Sequence, residues 1–203
     1  MFEFSSYLEQ QNLKGDDALY VTKIGDSIWF CICDGAGGMA GAAQASNYVV
    51  EAFKDLTNID SFDSSDDFES FLRKVDLELA NESGCGEATA IVGKLNDTTV
   101  VGASVGDSEA WLFNREYDYE LSSMQNLKPL LGSGSTTPIG FGPMDVDKSI
   151  LLGSDGLFKY IKLEEMKLLL STKTTAKEIA KLAKQDIGSL QDDVSIIYIS
   201  KKS

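Results

Sequence analysis

Aspartates recur where apolar, strand-like runs of this sequence meet turns. Asp34 and Asp155 each follow such a run, and Asp192 comes just before another. Because a strand fixes the position of the residue at its end, these three carboxylates are predicted to gather at one rim of a sheet. Carboxylates gathered in this way repel one another unless cations neutralise them. The pattern therefore predicts a metal site.

The ligand types favour hard divalent cations. The chain contains no histidine, which excludes Ser-His-Asp triads and His-ligated zinc and leaves oxygen atoms as the ligands of this cluster. Carboxylate and carbonyl oxygens suit Mg²⁺ or Mn²⁺. A glycine beside an acid, such as Gly35 after Asp34, lets the backbone carbonyl approach the metal as well.

Three further aspartates have positions that fit the same rim. Asp16 and Asp17 lie just before the first predicted strand, and Asp107 lies in a turn between two others. A single Asp-Gly pair is most often only turn chemistry. An ordered set of aspartates at strand ends is better explained by a shared site.

The overall composition narrows the class of protein. Eighteen basic against thirty-two acidic residues give a net charge of −14, which repels nucleic-acid phosphates and anionic lipid surfaces. No apolar run reaches the length of a membrane span, and Met1 to Phe4 lack the basic start of a signal peptide. Cys31, Cys33 and Cys85 are read as reduced thiols. A cytoplasmic protein that binds neither nucleic acid nor membrane is expected.

The elements that must position these residues are predicted from periodicity. Helices are predicted at 42–56, 66–81, 163–170 and 176–187, and β-rich runs at 18–24, 27–33, 88–95, 98–105, 110–113, 149–153 and 194–199. Short turns between consecutive strands predict an antiparallel meander. Residues 123–148 hold all three prolines and are predicted to be an irregular loop. The fold class is α+β, with two packed antiparallel sheets, outer helices and one domain spanning residues 1–203.

Six short segments, in order along the chain, resemble the signatures of the protein phosphatase 2C (PPM) family of metal-dependent protein serine/threonine phosphatases. They are Asp16-Asp17-Ala18, Asp34-Gly35-Ala36-Gly37-Gly38, Ala88-Thr89-Ala90, Val105-Gly106-Asp107-Ser108, Leu152-Gly153-Ser154-Asp155-Gly156-Leu157 and Asp192-Asp193-Val194-Ser195. Each segment alone is a weak signal, whereas six in the correct order over nearly the whole chain are a strong one. The resemblance implies a central antiparallel β-sandwich flanked by helices on both outer faces.

The resemblance also implies a site with two divalent cations, Mn²⁺ or Mg²⁺. By this carry-over Asp34 bridges the two ions, the Gly35 carbonyl binds one of them, and Asp155 and Asp192 bind the other. The same comparison assigns roles around these ligands to three more residues. Asp16 and Asp17 would hold metal-bound waters, and Asp107 would help to bind a weaker third ion.

The sequence departs from the family pattern at several positions. Asn12 stands where an arginine usually grips the substrate phosphate, and Lys14 is either its substitute or a solvated surface charge. Ala36 replaces a histidine that some members use as a general acid, and Glu109 stands where an arginine is common. The segment that usually forms a flap beside the site is reduced to part of residues 123–148.

The expected activity is hydrolysis of phosphoserine or phosphothreonine on proteins by a water that bridges two cations. Its partners would be a phosphoprotein substrate and a cognate serine/threonine kinase. Two alternatives stay open: a weak or inactive member of the fold that acts as a regulatory or binding module, and a phosphoesterase that acts on a small molecule.

Overall fold

The computed structural model describes residues 1–11, 15–36, 40–57, 62–184 and 190–202. These ranges contain ten strands, five α-helices and a 3-10 turn at 181–183. The strands are β1 (Phe2–Glu9), β2 (Asp17–Ile24), β3 (Ser27–Asp34), β4 (Ala90–Asn96), β5 (Thr99–Val105), β6 (Glu109–Phe113), β7 (Asp118–Glu120), β8 (Ile139–Asp145), β9 (Ser149–Gly153) and β10 (Val194–Lys201). The helices are α1 (Ala42–Leu56), α2 (Ser65–Asn81), α3 (Asp155–Phe158), α4 (Leu163–Leu170) and α5 (Ala176–Ala180).

The strands form two five-stranded antiparallel sheets. One sheet has the order β1-β10-β9-β6-β7 and the other the order β2-β3-β4-β5-β8. Along β3 the side chains of Ile28, Phe30 and Ile32 enter the core between the sheets, whereas Trp29 and Cys31 face the opposite side. This alternation is the period of two that a strand buried on both faces imposes.

Helices cover both outer faces of the sandwich, as predicted. The apolar stripe of α2, including Phe68 and Leu72, joins α1 against the outer face of the β3 sheet. On the other side, residues of α4 and α5 such as Met166 and Ile179 pack against the β9 and β10 strands. The α+β fold class inferred from the sequence is therefore confirmed.

Several details of the secondary structure differ from the prediction. β5 and β6 do not pair, because the turn at Gly106 carries the chain from one sheet to the other and ends the predicted meander. β1 was missed, although it pairs with β10 along its whole length. β8 lies inside the region predicted to be an irregular loop. The last predicted helix is regular only to Ala180, and its predicted end at Ile187 lies outside the described residues.

The proline-rich region is fixed to the rest of the fold by a buried acid. Asp76 on α2 is 2% exposed and accepts backbone hydrogen bonds from Gly132, Gly134 and Thr136 at 2.8 to 3.0 Å. These three hydrogen bonds replace the ones that the Asp76 carboxylate and the three amides would make with water in the unfolded chain. Because of this anchor the irregular segment next to the rim has a defined path.

Candidate active site

The centre of the site is a pair of carboxylates on neighbouring strands. In the β2–β3 register Asp17 lies opposite Asp34, so their side chains point to the same face. Asp17 is buried, and Asp34 is only partly accessible to solvent. Two like charges opposite each other in a sheet are unfavourable. The fold therefore holds negative charge at this point at a cost to its own stability.

Electrostatics place the other predicted acids around Asp34. The pKa of Asp34 is raised to about 9, first by burial and then by the negative charges of Asp17, Asp155, Asp107 and Asp192, in that order. These acids lie far apart in the sequence. Their combined effect on one carboxyl group shows that the fold brings the strand-end aspartates together at one rim.

Asp17 is more strongly supported by hydrogen bonds than Asp34. Ser195 Oγ donates to its Oδ2 at 2.5 Å, and Ser154 Oγ accepts a bond from the Ser195 amide at 3.1 Å. Burial raises the pKa of Asp17 to about 6, while the hydrogen bonds with Ser195 and Ser154 hold it lower than burial alone would. Asp17 therefore stays charged at neutral pH more readily than Asp34.

Sheet topology brings Asp155 and Asp192 to the same edge. β9 ends at Gly153 and the antiparallel β10 begins at Val194, so the residues next to these two ends are neighbours. Asp155 opens the short helix α3, and Asp192 lies two residues before β10. A Cβ atom on Gly156 would overlap the Asp193 carbonyl oxygen. The glycine after Asp155 is therefore needed for the two segments to approach each other.

Asp193 connects the N-terminal segment to this edge. Its Oδ1 accepts a hydrogen bond from the Gln11 amide and its Oδ2 one from the Asp16 amide, both at 2.7 Å. Burial and the charge of Asp193 raise the pKa of Asp16. The acid at position 193 thus has a structural role, and it sets the backbone of Asp16 beside the cluster.

Backbone contacts also fix Gly35 and the turn that carries Asp34. The Asp34 amide donates to Thr89 Oγ1 at 3.0 Å, and Thr89 Oγ1 lies 2.8 Å from Ser108 Oγ. The Gly35 amide donates to the Asp16 carbonyl at 3.1 Å. A Cβ atom at Gly35 would lie 2.5 Å from the Ala42 carbonyl oxygen, so only glycine fits there.

Lys159 is a charged residue of the site that the sequence analysis missed. Its Nζ forms an ion pair with Asp155 Oδ2, one helical turn earlier. The hydrogen bond with Asp155, together with the charges of Asp155, Asp192 and Asp107, raises the pKa of Lys159. The i,i+4 spacing from Asp155 across a helix start was the available signal. Asn12, Lys14, Gly37 and Gly38 lie outside the described residues.

The donor set fits hard divalent cations by its chemistry. The described cluster offers carboxylate oxygens and a glycine carbonyl, and the raised pKa of Asp34 shows that its negative charge is only partly compensated. Among the described residues, no three acidic side chains are arranged around a single point as ligands of one ion. The Asp155 carboxylate is instead in an ion pair with Lys159.

No protein-family model matches the sequence. No curated protein sequence matches it either. Solved structures do match. The serine/threonine phosphatase Stp1 from Staphylococcus aureus has a TM-score of 0.85 at 19% identity, with 100% of this chain and 96% of that chain covered.

Two further solved structures agree with this match. PppA, described as a regulatory component of the T6SS in Pseudomonas aeruginosa, has a TM-score of 0.80 at 17% identity and covers 98% of both chains. RsbX in complex with magnesium has a TM-score of 0.75 at 16% identity, with 98% of this chain and 94% of that chain covered. The chain therefore has the fold of the bacterial protein phosphatase 2C-type serine/threonine phosphatases.

Proposed function

We propose that the chain, acting as one catalytic unit over residues 1–203, is a metal-dependent protein serine/threonine phosphatase. The observation that carries the proposal is the Asp34 carboxyl group, whose pKa is raised to about 9 by burial and by four surrounding aspartates. A carboxyl group in that environment destabilises the metal-free protein, whereas a bound cation would neutralise its charge. The fold shared with bacterial serine/threonine phosphatases supports this reaction class.

Each acidic residue of the cluster has a proposed role in binding the cations or water. Asp34, Asp155 and Asp192 would hold the cations directly, and the Gly35 carbonyl would be a further ligand. Asp16 and Asp17 would orient water, with Asp17 fixed by its hydrogen bond from Ser195. When bound, two Mn²⁺ or Mg²⁺ ions supply an activated water and neutralise the phosphoryl oxygens. Asp107, an exposed residue whose charge acts on Asp34, would help to bind a weaker third ion.

The setting proposed for this activity is the cytoplasm. The substrate is a phosphoprotein, and the cognate serine/threonine kinase supplies its phosphate. Among the described residues, no helix has the length and apolar character needed to cross a membrane. The net charge of −14 argues against nucleic acid as a partner.

A regulatory or binding module is the second candidate function, and one observation favours it. The ion pair between Lys159 and Asp155 occupies a carboxylate that a metal would need. If this pair persists with cations present, the chain would keep the fold and lose the turnover. Small-molecule phosphoester hydrolysis is a third candidate, since a fold does not fix the substrate.

One assay separates these functions. A phosphothreonine peptide and p-nitrophenyl phosphate are compared as substrates with Mn²⁺, with Mg²⁺ and with excess chelator. The proposal expects turnover of the peptide with either cation and none with chelator. Turnover of the small ester alone would favour the third candidate. Absence of turnover with both substrates, while Mn²⁺ still binds, would favour the regulatory module.

Lys159 is proposed to bind the substrate phosphate. The usual arginine position is occupied by Asn12, and Lys159 is a cation of the described chain whose charge faces Asp155, Asp192 and Asp107. An ammonium group on a flexible stem can leave Asp155 when a metal ion neutralises that carboxylate, and then reach a phosphoryl oxygen. Lys14 lies outside the described residues, so its role as a phosphate-binding residue stays a prediction beside this one.

The variant Lys159→Met tests this role. Loss of one charge-assisted contact should raise KM for the phosphopeptide about tenfold and weaken inhibition by inorganic phosphate to a similar degree, with kcat changed less. Lys159→Arg should retain most of the affinity. A lower Mn²⁺ requirement in Lys159→Met with KM unchanged would instead show that the lysine only competes with the metal.

A further inference from the structure

A second concave site lies on the outer face of the β1-β10-β9 sheet. It is a cavity of about 700 Å³ between β1, the ends of β9 and β10, and the segment that joins α4 to α5. Its size lies in the range of ligand pockets. We call it the basic cavity, because five of the eighteen basic residues of the chain line it. These are Arg115, Lys148, Lys173, Lys201 and Lys202.

The basic cavity is separate from the aspartate rim. β10 starts beside Asp192 and Asp193 and runs for eight residues to Lys201, which lines the cavity. At about 3.3 Å per residue, the strand separates the two sites by roughly 25 Å. One end of the sandwich therefore concentrates acidic side chains, and the other end of the same sheet concentrates basic ones.

The positive charge of the basic cavity is largely uncompensated. Its two acidic lining residues are Glu3 and Asp147, and Asp147 accepts a hydrogen bond from the Arg115 amide. Glu3 pairs with Lys202 at a long 3.9 Å. Within the described ranges the other four basic side chains of the cavity form no ion pair, in a chain whose net charge is −14. Such a concentration of cations attracts anions against the overall charge.

Polar groups beside the cations supply hydrogen bonds to a ligand. Hydroxyl side chains make up much of the remaining wall, and Tyr198 and Ser200 of β10 are among them. Ser149 of β9 pairs with Ser200 in the sheet register, so the two side chains share the cavity face. Ser149 is fully buried beneath the wall, and hydrogen bonds of Tyr198 with Ser149 and Ser200 oppose the rise that burial gives the Tyr198 pKa. The hydroxyl groups of Tyr198 and Ser200 are therefore held close together on the cavity wall.

We infer that the basic cavity binds a phosphate-bearing ligand. Cationic side chains and hydroxyl donors can form charge-assisted hydrogen bonds with the oxygen atoms of a phosphate group. An uncharged ligand would form no ion pairs with these side chains. The concave shape favours a discrete ligand over a flat lipid surface. The ligand is either a free phosphate compound or a phosphorylated segment of a protein, and the inference does not depend on the proposed phosphatase activity.

The test is a titration of the full-length, Mg²⁺-loaded protein followed by amide chemical shifts. Two probes are used separately: inorganic phosphate and a peptide with a non-hydrolysable phosphonate analogue of phosphoserine. Both should shift the amides of Lys148, Ser200 and Lys201, and added salt should weaken the effect. A response to both probes indicates that a free phosphate compound suffices. A response to the peptide alone indicates a protein ligand.

Matched charge variants make the test specific. Lys148→Met combined with Lys201→Met should weaken probe binding at the cavity at least about tenfold, because two charged contacts are lost. Lys23→Met combined with Lys74→Met removes the same charge from exposed positions outside the cavity and should have no such effect. The dispersion of the spectrum reports whether each variant is folded.

Two results would overturn the inference. One is that amides near the aspartate rim respond to phosphate while those of the basic cavity do not. The other is that the cavity shifts remain in the Lys148 and Lys201 double variant. A wild-type protein that lacks phosphatase activity but shows the cavity shifts would reject the proposed function and leave the basic cavity supported.

Discussion

Asp34→Asn is expected to abolish phosphatase turnover, with a loss of at least about a hundredfold to a thousandfold. The asparagine keeps nearly the same volume, yet it removes the charge on which the other four aspartates converge. Folding should survive. In excess chelator the variant should melt at a higher temperature than the wild type, since asparagine is neutral without the free-energy cost of keeping a buried carboxyl group protonated at neutral pH. Turnover and thermal melting with and without Mn²⁺ check both parts.

Asp26→Asn is the matched control. Asp26 lies in the exposed β2–β3 turn, at the far end of the two strands from Asp34. The substitution makes the same change of charge outside the site, so turnover and the stabilisation by Mn²⁺ should equal those of the wild type. If Asp34→Asn also retains wild-type turnover and stabilisation by Mn²⁺, then Asp34 serves only the turn after β3 and the proposed site is wrong.

The second large effect concerns stability against pH. The pKa of Asp34 in the folded protein, about 9, lies above its ordinary value of 3.8, so the folded state holds the proton more tightly than the unfolded state. Stability must therefore fall as pH rises between these two values, by up to about 1.4 kcal/mol per pH unit for one proton. Asp17, with a pKa of about 6, adds to the lower part of that window.

The measurement is thermal melting at pH 6, 7 and 8 in excess chelator and in Mn²⁺. The chelated protein should lose roughly 5 °C or more from pH 6 to pH 8. With Mn²⁺ the fall should be small, because cation binding requires the deprotonated carboxylate and grows with pH. The chain has no histidine, so few other groups titrate in this window. A chelated melting point that is flat with pH, or equally steep in Asp34→Asn, would contradict this account.

The sequence by itself was enough to predict the fold class and the rim of aspartates. Period-two runs ending in Asp-Gly, helical stripes such as that of Phe68 and Leu72, and the capping box of Thr175 and Glu178 are local signals. Each depends on residues within one element, and the structure has these elements nearly where they were predicted. The order of the strand-end aspartates was likewise readable without coordinates.

Other features depend on contacts between distant segments. No local pattern shows that β5 and β6 belong to different sheets, because a short turn serves a hairpin and a crossing between sheets equally well. β1 was missed because its pairing with β10 joins the two ends of the chain. β8 was hidden in a segment rich in proline and glycine, where its partner strand overrides the local propensity.

Only the tertiary structure decided the electrostatics of the site. The register that sets Asp17 opposite Asp34 and the helix turn that sets Lys159 against Asp155 both determine charge contacts that spacing alone leaves open. The basic cavity is a still clearer case, since it unites side chains from positions 115 to 202 with those of β1. Coulombic energy depends on distance and burial, and the sequence fixes these quantities only through the complete fold.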